Sequence, residues 1–297
     1  MGEDVEVVEG LVTDLDAPRL IILIHGYQNS ETTAQRSYDR FRSVLRTALW
    51  LTSEERLGTF WDFHWPGDHP NKVISVTTFA ARIGDARQSG ELLADFLAER
   101  SPQQEVILIA HSLGCRVALD AERAIRRQGS RYQGATIRRL FLMAAAVPQT
   151  LCDPGRQFDS PVPGSLDYAF YSHRDTVLSK TFPLGSHLYG EGQDAVGYDG
   201  DPESRWERRN ETGTGLRHKD YWGSYPVAAQ IGAYLGYPGD RALPDRRDPP
   251  DWAEQTPENQ LERHALRDRA YGSGRLRLGR RGGSASSHAQ HVLQAER

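Results

Sequence analysis

Two runs of the chain leave little choice of fold. "RLIILI" (19–24) and "EVILIA" (105–110) are apolar without polar alternation, so each reads as a strand buried on both faces. The theme recurs at "TFWDFHW" (59–65), "IRRLFLMAAAV" (137–147) and "DYAFYS" (167–172), and "VEVVEGLV" (5–12) adds an edge strand. Between these segments lie helical patterns over roughly 35–50, 76–99 and 113–128, with Phe41, Val44, Leu45 and Ala48 on one apolar face and Val117, Leu119, Ala121 and Ile125 on another. A last helix over 224–236 has Pro226 in its first turn, where the missing N–H does no harm. Strand and helix alternate. The expected fold class is therefore α/β, a mostly parallel central sheet with helices on both faces and right-handed crossovers.

A chain of 297 residues can close such a core without disulfides or metals. Its formal charge of -4 gives no global attraction to polyanions, so no nucleic acid is expected as a partner. Cys115 and Cys152 form no disulfide framework. The start "MGEDVEVVEG" is acidic where a signal peptide is basic and apolar, and no run approaches the roughly 20 apolar residues that span a bilayer. The expectation is a cytoplasmic protein with no membrane span.

Composition places a domain over 1–238, with its core at 19–236, and a flexible tail rich in Arg, Pro and Gly over 239–297. Within that tail "TPENQLERHALRDRA" (256–270) reads as a short helix. Arg275, Arg277, Arg280 and Arg281 form a basic patch, read either as a solvated tail or as an arm for an acidic partner. The turn-rich stretches 148–166 and 183–215 read as loops at the ligand-facing edge of the sheet, the second as a rim or a partly disordered segment.

The segment "LIAHSLGC" (108–115) places Ser112 between a strand ending at Ala110 and a helix starting near Leu113. So tight a turn lifts the hydroxyl clear of the sheet and sets it at a helix amino end, where N–H groups favour negative charge. The usual nucleophile-elbow pattern is G-x-S-x-G. Here the second glycine is Gly114, and Ala110 stands in place of the first. A serine serving only as a helix cap is the bland alternative.

Three stretches resemble the α/β-hydrolase superfamily, in particular its bacterial branch related to the domain-of-unknown-function 900 (DUF900) group. They are "LIHGYQNS" (23–30), "WDFHWPGD" (61–68) and "ILIAHSLGCRVALDA" (107–121), and "YSHRDTVL" (171–178) and "RHKDYWGSYPVAAQIGAYL" (217–235) extend the match. A serine hydroxyl needs a histidine to take its proton, and that histidine needs a carboxylate to fix its tautomer. In this fold the chain order is Ser, acid, His.

Asp175 is the favoured acid, with Asp153, Asp159, Asp194 and Asp199 as alternatives. His218 is the favoured base, in the loop before the last helix where the resembling family has its histidine, and His187 is its competitor. The oxyanion donors implied are the backbone N–H groups of Leu113 and, by the family pattern after His25-Gly26, of Tyr27. Gln28, Trp65 and Pro66 are pocket candidates.

His25 reads as a support for its loop, His111 as part of the elbow, and Cys115 as a small buried hydrophobe. His64 and His69 carry only a weak metal reading, because Pro66 and Gly67 break helical presentation between them. The implied reaction is hydrolysis of a carboxylic ester or related acyl compound through an acyl-enzyme, with a small-molecule acyl substrate and no cofactor. A non-catalytic α/β scaffold that binds a ligand or protein is the second reading.

Overall fold

The computed structural model describes residues 3–9, 15–49, 59–68, 76–163, 165–202, 205–235 and 273–280. Its strands are β1 (Glu3–Glu9), β2 (Arg19–Ile24), β3 (Thr59–His64), β4 (Glu105–His111), β5 (Thr136–Met143), β6 (Leu166–Tyr171), β7 (Glu207–Asn210) and β8 (Ser273–Arg280). The helices are α1 (Glu31–Ala48), α2 (Val76–Ala98), α3 (Gly114–Gln128), α4 (Phe182–Leu188), α5 (Val196–Asp199) and α6 (Tyr225–Tyr234). One sheet holds all eight strands, in the order β1-β8-β3-β2-β4-β5-β6-β7. Among the described strands only β1 runs antiparallel to its neighbour.

The apolar runs sit where their composition demands. In β2 every residue after Arg19 is buried, and in β4 every residue after Glu105. The connection β2-α1-β3 steps one way along the sheet, and β3-α2-β4 steps back across β2. Right-handed crossovers in opposite directions put their helices on opposite faces. Accordingly α1 packs with α6, whereas α2 packs with α3. The order reverses between β2 and β4, so a crevice opens there beyond the carboxyl ends of the strands. Gly26 and Ser112 stand at that point.

The second irregular stretch is more ordered than its composition implies. Residues 183–215 contain most of α4, all of α5 and the edge strand β7, whose sequence "ERRN" carries no apolar alternation. The loop 149–163 packs down on α3: Phe158 is buried, Gln157 Nε2 donates to Asp120 at 3.0 Å, and the Val162 N–H donates to Glu122 at 3.1 Å. Buried Arg205 ties Phe158, Glu122 and Asp167 together, donating to the Phe158 carbonyl at 2.8 Å and pairing with both carboxylates.

The expectation of a flexible tail fails at residues 273–280. That segment is β8, inserted between β1 and β3. Leu276 is fully buried, and a Cβ on Gly274 would stand 2.3 Å from the Trp61 ring, so only glycine lets Trp61 lie across the strand. Register sets Glu6 opposite Arg277, residues of opposite charge on the two strands. Arg275 and Arg277 also reach Glu31, at 3.9 and 4.0 Å. Two arginines of the basic patch thus face a carboxylate of their own chain. Arg281 and the short helix expected over 256–270 lie outside the described residues.

Candidate active site

Ser112 has φ +54, a left-handed conformation that a residue with a Cβ adopts only when its surroundings force it. Three backbone bonds do so. Its N–H donates to the Met143 carbonyl at 2.9 Å, and its carbonyl accepts from the amides of Cys115 and Ala146, each at 3.1 Å. The two flanking glycines are required by close approach. A Cβ on Gly114 would be 2.3 Å from the His25 carbonyl oxygen, and one on Gly26 would be 2.7 Å from the Ser112 Cβ. Ala110, the departure from the usual pattern, is fully buried within β4, and its carbonyl accepts the Cys115 thiol at 3.3 Å.

His218 and Asp175 meet the serine in series. His218 Nε2 is 2.8 Å from Ser112 Oγ, and its Nδ1 is 2.7 Å from Asp175 Oδ2. Asp175 is fully buried, and its other oxygen accepts the amides of Val177 and Leu178 at 3.0 Å each. A carboxylate held this way accepts a hydrogen bond from Nδ1–H, which fixes the proton on Nδ1 and leaves Nε2 to accept from the hydroxyl. The loop carrying His218 is tied to the acid's strand end, because Ser172 Oγ donates to the Leu216 carbonyl at 2.8 Å and the Glu211 amide to the Tyr171 carbonyl at 2.8 Å.

The competing residues lie elsewhere. His187 is exposed on α4, and Asp194 is exposed. Asp159 accepts from the Gly155 amide at 3.0 Å, and Asp199 takes Gln149 and the Asp201 amide. Cys115 is buried and its thiol is pushed well above its ordinary pKa by burial, which makes it inert as a nucleophile.

In the loop after β2 the amides of Gln28 and Tyr27 differ in their partners. The Gln28 amide is committed to the Gly67 carbonyl at 2.8 Å, with Gln28 itself at φ +58. The Tyr27 amide donates to no described group, and the same holds for Leu113. The Tyr27 ring packs edge-on against Phe79 at 5.6 Å, with its hydroxyl 2.8 Å from the Thr78 hydroxyl.

Trp65 is buried behind this loop. It stacks on His25 at 5.6 Å and donates from Nε1 to the His25 carbonyl at 2.8 Å. Exposed Pro66 offers its carbonyl to Arg82 at 3.2 Å. Of the three pocket candidates, Trp65 and Gln28 shape the loop, and Pro66 sits at its outer side.

Three histidines surround the centre and are neutral. Burial lowers His25 to about 4, and burial followed by the charges of Arg275, Arg277 and Arg42 lowers His64 to about 4. His111 falls to about 3, through burial first and the neighbouring His218 next. Its Nε2 lies 2.6 Å from the His218 carbonyl oxygen, a contact the sequence did not announce. His69 lies outside the described residues, among which no group of three or more His, Cys, Asp or Glu side chains is arranged to hold a metal ion.

A parallel sheet whose central strand runs into a strained serine, with an acid and a histidine returning from later strands, defines the α/β-hydrolase fold. The chain belongs to the family of alpha/beta hydrolases of unknown function called DUF900, whose model matches residues 4–179. That match takes in Ser112 and Asp175 and ends before His218. No curated protein matches the chain.

Solved structures with similarity include a Xanthomonas campestris protein assigned to the alpha/beta hydrolase superfamily, with 14% identity over 73% of this chain and 97% of that one and a TM-score of 0.36. A Listeria innocua protein has 13% identity over 78% and 95%, with a TM-score of 0.39. The catalytic core domain of acetyl xylan esterase from Trichoderma reesei has 10% identity over 74% and 98%, with a TM-score of 0.38. Similarity at this level says nothing about reaction or substrate. Among the described residues no helix is long and apolar enough to cross a membrane.

Proposed function

We propose that the chain is a serine hydrolase acting on a carboxylic ester or related acyl compound of small-molecule size. The observation that carries this reading is the unbroken series Ser112 Oγ, His218 Nε2, His218 Nδ1 and Asp175 Oδ2, with steps of 2.8 and 2.7 Å. Ser112 Oγ attacks the substrate carbonyl carbon as His218 Nε2 takes its proton, and Asp175 stabilises the imidazolium that forms. The new oxyanion is held by the N–H groups of Leu113 and Tyr27. Collapse of the intermediate breaks the bond to the leaving alcohol, which receives the proton from Nε2, and an ester of Ser112 remains. Water, giving a proton to Nε2, then attacks that ester, and the acid leaves with Ser112 restored.

The scaffold reading requires a serine turned away from His218, and the 2.8 Å separation favours the hydrolase instead. Two buried, unbridged cysteines suit a reducing compartment such as the cytoplasm. The test is pre-steady-state hydrolysis of a short-chain aryl acetate. The proposal expects a burst of phenol close to one equivalent of enzyme, followed by slower turnover, and neither in S112A. A rate unchanged in S112A would contradict it.

A further inference from the structure

We propose that His111 is a positioning residue for the general base, its imidazole N–H fixing the backbone of His218 to the end of the strand that leads into Ser112. The inference rests on the serine-hydrolase reading and adds a part that the Ser–His–Asp series lacks. Asp175 orients the His218 ring, but His218 sits in a turn outside any strand or helix. That turn is closed locally by the Arg217 amide, which donates to Asp220 Oδ2 at 2.8 Å, and joined to the acid's strand end by Ser172. Neither bond refers it to the nucleophile.

The His111 contact does. His111 is the last residue of β4, in register with Met143 of β5, and the next amide along is locked to the Met143 carbonyl. From this rigid point Nε2 donates to the His218 carbonyl at 2.6 Å, with the two rings 5.1 Å apart. Nucleophile and base are thereby held to one strand end. A misplacement of about 1 Å between reacting groups lowers rates by about 100-fold, so the bond has leverage on catalysis.

Packing alone does not account for a histidine here. His111 is 4% exposed and its Nδ1 has no partner among the described residues. A buried acceptor without a donor is destabilising, and an apolar ring would avoid it. What the imidazole offers and an apolar ring does not is the Nε2–H. Neutrality matters as well, because a lysine or arginine donor would oppose the imidazolium that forms on His218 during the reaction. Burial keeps His111 uncharged.

The experiment compares the unsubstituted protein with H111Q, H111F and H218A, reading the second-order rate of fluorophosphonate labelling at Ser112 and the aryl-ester kcat and KM. H111F is expected to lose about 10- to 100-fold in labelling rate and in kcat. Its KM should stay within about twofold, since the lost interaction acts on the reacting groups and not on substrate binding. H111Q, whose carboxamide keeps an N–H donor, should recover most of the loss.

H111F labelled at the full rate would overturn the inference, as would equal losses in H111F and H111Q. If the unsubstituted protein labels no faster than H218A, the serine-hydrolase reading itself fails. Two-bond ¹H–¹⁵N correlation of the unsubstituted protein's imidazoles needs no variant to fold: a proton on His111 Nε2 is expected, and one on Nδ1 overturns the inference.

Discussion

Replacing His218 by alanine is expected to lower aryl-ester turnover by about 10⁴- to 10⁶-fold, with the thermal unfolding midpoint little changed. Without the imidazole no other described group within reach takes the Ser112 proton. His111 points its N–H at the His218 carbonyl, and burial holds it neutral and weakly basic. The thiol of Cys115 donates to the Ala110 carbonyl and is pushed far from thiolate formation. What remains is stabilisation by the amides of Leu113 and Tyr27 proposed as oxyanion donors. The fold should tolerate the change because the His218 side chain belongs to the cleft, and the surrounding loop is held by Ser172 and Glu211. Steady-state kinetics beside circular dichroism reads both halves of the expectation, and residual activity above one tenth would contradict it.

Removing residues 239–297 is expected to leave little folded protein, whereas removing only 281–297 should be tolerated. The longer deletion takes away β8, the sole described sheet neighbour of β1 and the cover for one edge of β3. Leu276 alone, fully buried, represents about 2–3 kcal/mol of apolar burial, before the two hydrogen-bonded ladders and the contact of Gly274 with Trp61 are considered. Domains of ordinary stability have about 5–15 kcal/mol in total. Loss of a whole internal strand therefore takes most of the margin. Urea unfolding of both truncations decides the point, and equal midpoints would contradict the place given to β8.

That strand also shows where sequence reading stops. β2, β4 and the elbow are legible because burial on both faces writes a continuous apolar run, and a tight strand-to-helix turn writes a serine beside a glycine. Asp175 and His218 are legible from the order of groups that the chemistry needs, supported by resemblance, and in the structure His218 meets Ser112 while Asp175 meets His218. β8 is written differently. "GRLRLGR" alternates arginine and leucine, the pattern of a strand with one face inward, but it lies in a stretch whose Arg, Pro and Gly content outweighs that local period.

β7 leaves no apolar trace at all, since edge strands are kept charged to prevent pairing with other chains. The tether from His111 is a long-range contact between residues 107 positions apart, which no local pattern encodes. Trp65 carries a similar lesson. An aromatic beside a presumed cleft reads as pocket wall, yet its indole N–H is needed by the His25 carbonyl behind the loop.

The proposed hydrolase stands or falls on activation of the Ser112 hydroxyl. Its most direct measurement is fluorophosphonate labelling of the folded protein, read by intact mass and peptide mapping, with S112A and H218A beside it and a known serine hydrolase as control. One adduct per chain is expected, located on Ser112, absent from S112A and formed far more slowly in H218A. A folded protein that stays unlabelled while the control reacts, or an adduct on another residue, would contradict it.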